Sequence, residues 1–117
     1  MDILITNNPL LEASFAQNYK VEYVDISPIE ILRRVRDFVH LGHGLITHPM
    51  AGGLPPGLSP YKSVVVTCVS GDLNMDNIGI IESALDSYSR GYVDPSKYSK
   101  KHLEDFARLD MALLKRH

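Results

Sequence analysis

The sequence predicts an α/β fold: one domain over residues 1–117, with a four-stranded, mostly parallel sheet, one antiparallel strand, and helices packed on it. Three observations carry that expectation. Short apolar runs alternate with segments of helical period from Asp2 to Val39, the pattern of parallel strands joined by crossover helices. The run "YKSVVVTCV" (61–69) is apolar almost throughout, as in a strand covered on both faces and central in its sheet. Finally, "PMAGGLPPGLSP" (49–60) holds four prolines and three glycines in twelve residues. No helix can form there to carry a crossover, so the strand after it should run antiparallel to the strand before it, as a wide hairpin.

Each element has its own signal. "DILIT" (2–6) is apolar and ends at a turn. Asn8 then caps a short helix with Pro9 in its first position, running to about Gln17. "KVEYVD" (20–25) reads as the second strand. Ser27, Pro28 and Glu30 form a complete helix start, with Glu30 placed for a capping box. Ile29, Leu32, Val35 and Val39 make one apolar stripe with Phe38 beside it, and Gly42 supplies a left-handed stop after Leu41. "LITH" (45–48) is the expected third strand and 61–69 the fourth. "SGDLNMD" reads as a turn before a helix from about Asn77 to Arg90, marked by Ile78, Ile81, Leu85 and Tyr88 and closed by Gly91. Ser99 can cap a last helix with Leu103, Phe106, Leu109 and Leu113 near one face, a stripe that Asp110 breaks.

Composition narrows the function classes. With 44% hydrophobic and 22% charged residues, the chain has ordinary globular composition and length enough for its own core. A formal net charge of −2 with scattered basic residues is not the footprint of a nucleic-acid-binding protein. On a helix, Arg33 and Arg34 of "RRVR" share a charge-balanced solvent face with Glu30 and Asp37. No apolar run is long enough to span a membrane, and "MDILITNNP" does not resemble a signal peptide. With a single cysteine, these features point to the cytoplasm, and Cys68 among valines reads as a buried structural thiol.

"HLGHGLITHP" (40–49) places three of the five histidines in nine residues. A metal would need them to converge within ~2 Å of one ion, whereas an extended 44–48 separates His43 from His48 by ~16 Å. No metal site is expected. His40 in a last helical turn and His43 in a tight turn read first as capping and turn residues. His48 ends a parallel strand, on the edge where open α/β sheets bind ligands.

Asn7 and Asn8 reach the same edge after the first strand, and an antiparallel fourth strand would bring Tyr61 and Lys62 there too. Thr47, His48, Ser59, Tyr61 and Lys62 would frame a mouth suited to a small anionic ligand, with His48 and Lys62 as candidate catalytic groups. The bland alternative is that Asn7 and Asn8 only cap a helix and Lys62 is a solvated strand end. No nucleophile–base pair, phosphate loop or paired carboxylates can be read from the chain.

The motifs "TNNP" (6–9), "RDFVHLGHGLITHPMAGG" (36–53) and "SPYKS" (59–63) resemble the GrdX family. These are small proteins encoded with the glycine, sarcosine and betaine reductase genes of amino-acid-fermenting anaerobes. The resemblance covers most of the chain in length and motif order. It implies an accessory role with glycine reductase components, in assembly, maturation or regulation, and it implies no reaction and no cofactor. Carried over residue by residue, it points at Asn7, Asn8, His40, His43, His48, Tyr61 and Lys62. That set restores His40 and His43, which the local reading assigns to turn chemistry. The apolar helix faces also leave open a contact with a second copy of the chain.

Overall fold

A computed structural model describes residues 1–50, 59–90 and 97–115. Its sheet is centred on β1 (Ile3–Thr6), every residue of which is buried. On one side β1 pairs in parallel with β2 (Lys20–Tyr23), and on the other it pairs antiparallel with β3 (Ser63–Val66). The strand order is β2-β1-β3.

Side chains alternate across this sheet and divide the core in two. Ile3, Ile5, Val64 and Val66 face α2 (Pro28–His40) and α3 (Met75–Ser89), packing on Leu32, Val35, Val39, Ile81 and Leu85. Leu4 and Val65 face α1 (Pro9–Ser14) and α4 (Lys100–Lys115), packing on Leu11, Phe15 and Leu114. The result is a helix–sheet–helix sandwich, in which each fully buried aliphatic side chain contributes ~1.5–3 kcal/mol. Among the described residues no helix is long and apolar enough to cross a membrane.

The expected four-stranded, mostly parallel sheet is corrected to a three-stranded mixed one. Residues 44–47 do lie antiparallel to β3, through a single bridge from Leu45 to Val66, but they do not form a strand. The ladder breaks because Ile46 N–H and Thr47 N–H both donate to Val65 O, at 2.8 and 3.3 Å. Two residues thus oppose one, as at a β-bulge. Thr47 Oγ1 then takes the Val65 N–H at 2.9 Å, so a side chain replaces the backbone acceptor of a regular rung. The central place expected for the 61–69 run belongs to β1 instead. β3 ends at Val66, so Cys68 lies beyond the sheet and is exposed rather than buried.

Helix ends follow local chemistry. In α2, Ser27 Oγ accepts the Glu30 N–H at 3.4 Å, while the Glu30 carboxylate pairs with Arg33. The other end is a Schellman turn. Gly42 N–H donates to Val39 O and His43 N–H to Phe38 O, both at 3.0 Å, with Gly42 at φ 100°. A Cβ at Gly42 would stand 2.0 Å from Gly71 O, so glycine is required for space as well as for backbone angle. α1 stops at Ser14, short of Gln17, where Phe15 turns into the core. α3 begins two residues before the expected Asn77, because Asn74 Oδ1 accepts from Asp76 N–H and Asn77 N–H at 2.9 and 3.1 Å. The Gly91 stop falls outside the described residues, as does most of the 49–60 loop. Ser99 caps α4 as expected, its Oγ accepting the His102 N–H at 3.2 Å.

Candidate functional site

At the carboxyl end of β1 a closed hydrogen-bond circuit joins four elements. Asn8 N–H donates to Thr6 Oγ1 at 2.9 Å. Ser63 donates its single hydroxyl proton to Asp110 Oδ2 at 2.7 Å, so across the 2.7 Å contact between Thr6 and Ser63 the threonine must be the donor. Asn8 Nδ2 closes the ring by donating to the same Asp110 Oδ2 at 3.0 Å and to Ala107 O at 2.9 Å. Thr6 and Ser63 sit opposite one another in the β1–β3 register, which is why their hydroxyls meet. Burial raises the Asp110 carboxyl above the usual carboxylate range, while the bonds from Asn8 and Ser63 and the charge of Lys62 pull it back.

Asn7 fastens the neighbouring chain segments. Its Nδ2 donates to Ile26 O and Pro60 O at 2.7 and 2.8 Å, and its Oδ1 accepts the Lys62 N–H at 2.8 Å. Lys62 is thereby held at the mouth of β3 with only 7% of its surface exposed. Its Nζ stands 5.1 Å from the centre of the Tyr88 ring, a cation–π arrangement. Burial lowers the Lys62 ammonium to about 8, against the opposing pull of Asp110. Burial and the Asp110 charge raise the Tyr88 phenol, and burial with Tyr23, Asp25 and Asp110 raises Tyr61. This end of the sheet thus carries an amine lowered by burial, a carboxyl raised by burial, and two raised phenols, with Lys62 turned toward α3 and Asp110 on α4.

The expected site residues fall into separate neighbourhoods. Asn7, Asn8, Tyr61 and Lys62 gather at the end of β1 and the entry to β3. Ser59 Oγ accepts the Tyr61 N–H at 3.2 Å and shapes that entry. Tyr61 also borders a hollow of about 350 Å³ between Pro9 and Leu10 and the α4 residues Leu103 and Ala107. Thr47 is buried on Val65. His48 is exposed, its Nδ1 accepts the Met50 N–H at 3.0 Å, and it borders an open groove of about 660 Å³ along α3 with Gly79, Ser83 and Ser87. That groove contains none of Asn7, Asn8, Tyr61 and Lys62. Helix α3 still stands behind both sides, with Ser87 on the histidine groove and Tyr88 under Lys62.

His40 and His43 lie elsewhere. His40 Nε2 is 3.5 Å from Glu82 Oε1, between α2 and α3. His43 Nδ1 contacts Thr67 O at 2.7 Å, and its ring meets Phe38 edge-on at 5.1 Å, filling the side-chain contact that accompanies a Schellman turn. Three members of the polar centre escaped the sequence-based site: Thr6, Ser63 and Asp110. Asp110 carried a readable signal, since one acid interrupts an otherwise apolar helix face. Thr6 and Ser63 lie within the "TNNP" and "SPYKS" motifs and at strand ends, and carried no signal beyond that.

Residues 3–117 match a family model described as GrdX-like protein. No curated protein and no solved structure gives a match.

Proposed function

Since the chain belongs to the GrdX-like protein family, we propose that it is an accessory protein of the selenium-dependent glycine, sarcosine and betaine reductase system. Assembly, maturation or regulation of a reductase component is the role in view. The observation that carries this reading is the family match over essentially the whole chain. A surface feature supports it: Leu41, Val69, Leu73 and Met75 are all well exposed, and a hydrogen bond from Gly71 N–H to Gly42 O draws their segments together. Clustered exposed aliphatics of this kind suit a protein contact. Tagged protein recovered from its native cells should carry a reductase component with it, and Leu73→Glu should release that component. Recovery of the tagged chain without any reductase component would remove the reading.

A second reading is a small enzyme or binding protein for a carboxylated or phosphorylated metabolite, with His48 as acid or base. One observation favours it: the groove beside His48 is within the usual volume of small-molecule sites. Lys62 lies outside that groove and has no part in this reading. Metabolite screening by thermal shift should find a ligand, and His48→Ala should abolish its turnover while the circular dichroism spectrum is retained. Unchanged turnover in that variant rules out the histidine assignment.

A further inference from the structure

We propose that α3 is the contact face of a homodimer, in which a second copy of the chain lays its own α3 antiparallel along the groove beside Ser83. Neither reading above calls for a second copy. A partner helix in this groove would also take the space that the metabolite reading assigns to a ligand.

The charge pattern selects the partner. Asp76 and Arg90 stand seven residues to either side of Ser83. At ~100° per residue, Asp76, Gly79, Ser83, Ser87 and Arg90 share one stripe about 80° wide. All of them but Ser87 are exposed, and Ser87 is half-buried. An antiparallel copy centred on Ser83 therefore sets its Arg90 opposite Asp76 and its Asp76 opposite Arg90, through one two-fold axis. A parallel copy would set acid against acid and cation against cation, so the charges fix direction as well.

The groups involved are open to such pairing. Among the described residues Asp76 forms no ion pair. Arg90 bonds Asp86 of its own helix at 2.5 Å and keeps further guanidinium donors for the other copy. Glu82, on the same flank as Asp86, faces His40 Nε2 at 3.5 Å. The acids beside the stripe thus already have partners within the chain.

Shape agrees with charge. The groove of about 660 Å³ is lined by Asp76, Gly79, Ser83 and Ser87 together with apolar Met50 and Ile80. Glycine is among the poorest residues for a helix interior, yet a Cβ at Gly79 would meet nothing within 4 Å among the described residues. Its own chain gives no reason for the missing side chain, whereas a helix approaching to ~8 Å does. The Ser83 and Ser87 hydroxyls make no hydrogen bond among the described residues and can bond across the axis. In this register Ile80 of each copy lies over Ala84 and Ser87 of the other.

The test is the association state of the intact chain. Sedimentation equilibrium should give twice the chain mass of 13.1 kDa. Asp76→Arg and Arg90→Asp should each weaken association at least ~10-fold, and the two together should restore it, because the pair is then reversed rather than broken. Ser83→Cys in a Cys68→Ser background should form a disulfide between copies in a glutathione redox buffer. The substituted residues are exposed, so circular dichroism should be unchanged. A chain that is monomeric at ~100 µM overturns the proposal. A dimer that neither single reversal weakens, or that Ser83→Cys does not cross-link, overturns it too. A monomer that binds a metabolite, with binding lost in Gly79→Leu, overturns it in favour of the second reading.

Discussion

Asn7 extends the β1–β3 ladder by one rung beyond the strands, its side chain standing in for backbone. It faces Lys62, donating its own N–H to Lys62 O at 3.4 Å and accepting the Lys62 N–H on Oδ1 at 2.8 Å. The remaining amide protons hold Ile26 O and Pro60 O, so one buried side chain joins three chain segments. Asn7→Ala strips partners from buried backbone groups and should cost ~2–4 kcal/mol in urea unfolding. Asn7→Asp should cost at least as much, because a carboxylate cannot donate to either carbonyl.

Gly42 is expected to tolerate no side chain. Gly42→Ala combines a left-handed backbone with a Cβ overlapping Gly71 O, and should lower stability by ~2–4 kcal/mol. His43→Ala, which removes the contacts with Thr67 O and Phe38, should cost a smaller ~1–2 kcal/mol. Thermal unfolding of the two variants checks the order.

The lowered Lys62 pKa gives stability a definite pH dependence. The unfolded chain holds the lysine proton up to its ordinary 10.5, whereas the folded chain releases it near 8. Between those values the unfolded state binds more protons, so stability should rise with pH, by at most ~3.4 kcal/mol. Tyr61 and Tyr88, both raised on folding, act with the opposite sign above about pH 10 and cap the rise. Asp110, raised from 3.8, contributes at the acid end, where its support is lost as pH rises through its folded value. Lys62→Met should flatten the rise between pH 8 and 10, as read from urea midpoints across that range.

His48 should matter little to the fold. It is exposed and accepts one local bond from Met50, so His48→Ala should change stability by less than ~0.5 kcal/mol. A larger loss would mean that the imidazole supports the 46–50 segment rather than a ligand.

Local signals were legible and long-range ones were not. The limits of α2 followed from Ser27, Pro28 and Gly42 because caps depend on neighbours within a turn. The direction of segment 44–47 relative to β3 was also legible, from the loop that lacks a helix. Its irregularity was not, since it depends on Thr47 Oγ1 meeting Val65 N–H across 18 residues. Asn7, Asn8, Tyr61 and Lys62 were placed at one sheet edge by strand order alone. Asp110, 102 residues from Asn8, could be noticed as an interruption but not assigned a partner. Cys68 misled because β-branched neighbours describe a strand without saying where it ends.

The bond between the Asn8 amide and α4 also constrains the order of assembly. α1 has six residues, too few to hold as a helix on its own, and its cap side chain is anchored to Ala107 O and Asp110. During synthesis the first crossover must therefore wait for α4 to leave the ribosome. A nascent chain stalled before Lys100 should leave the face of Leu4 and Leu11 open to protease and chaperones, and only release of α4 should close it.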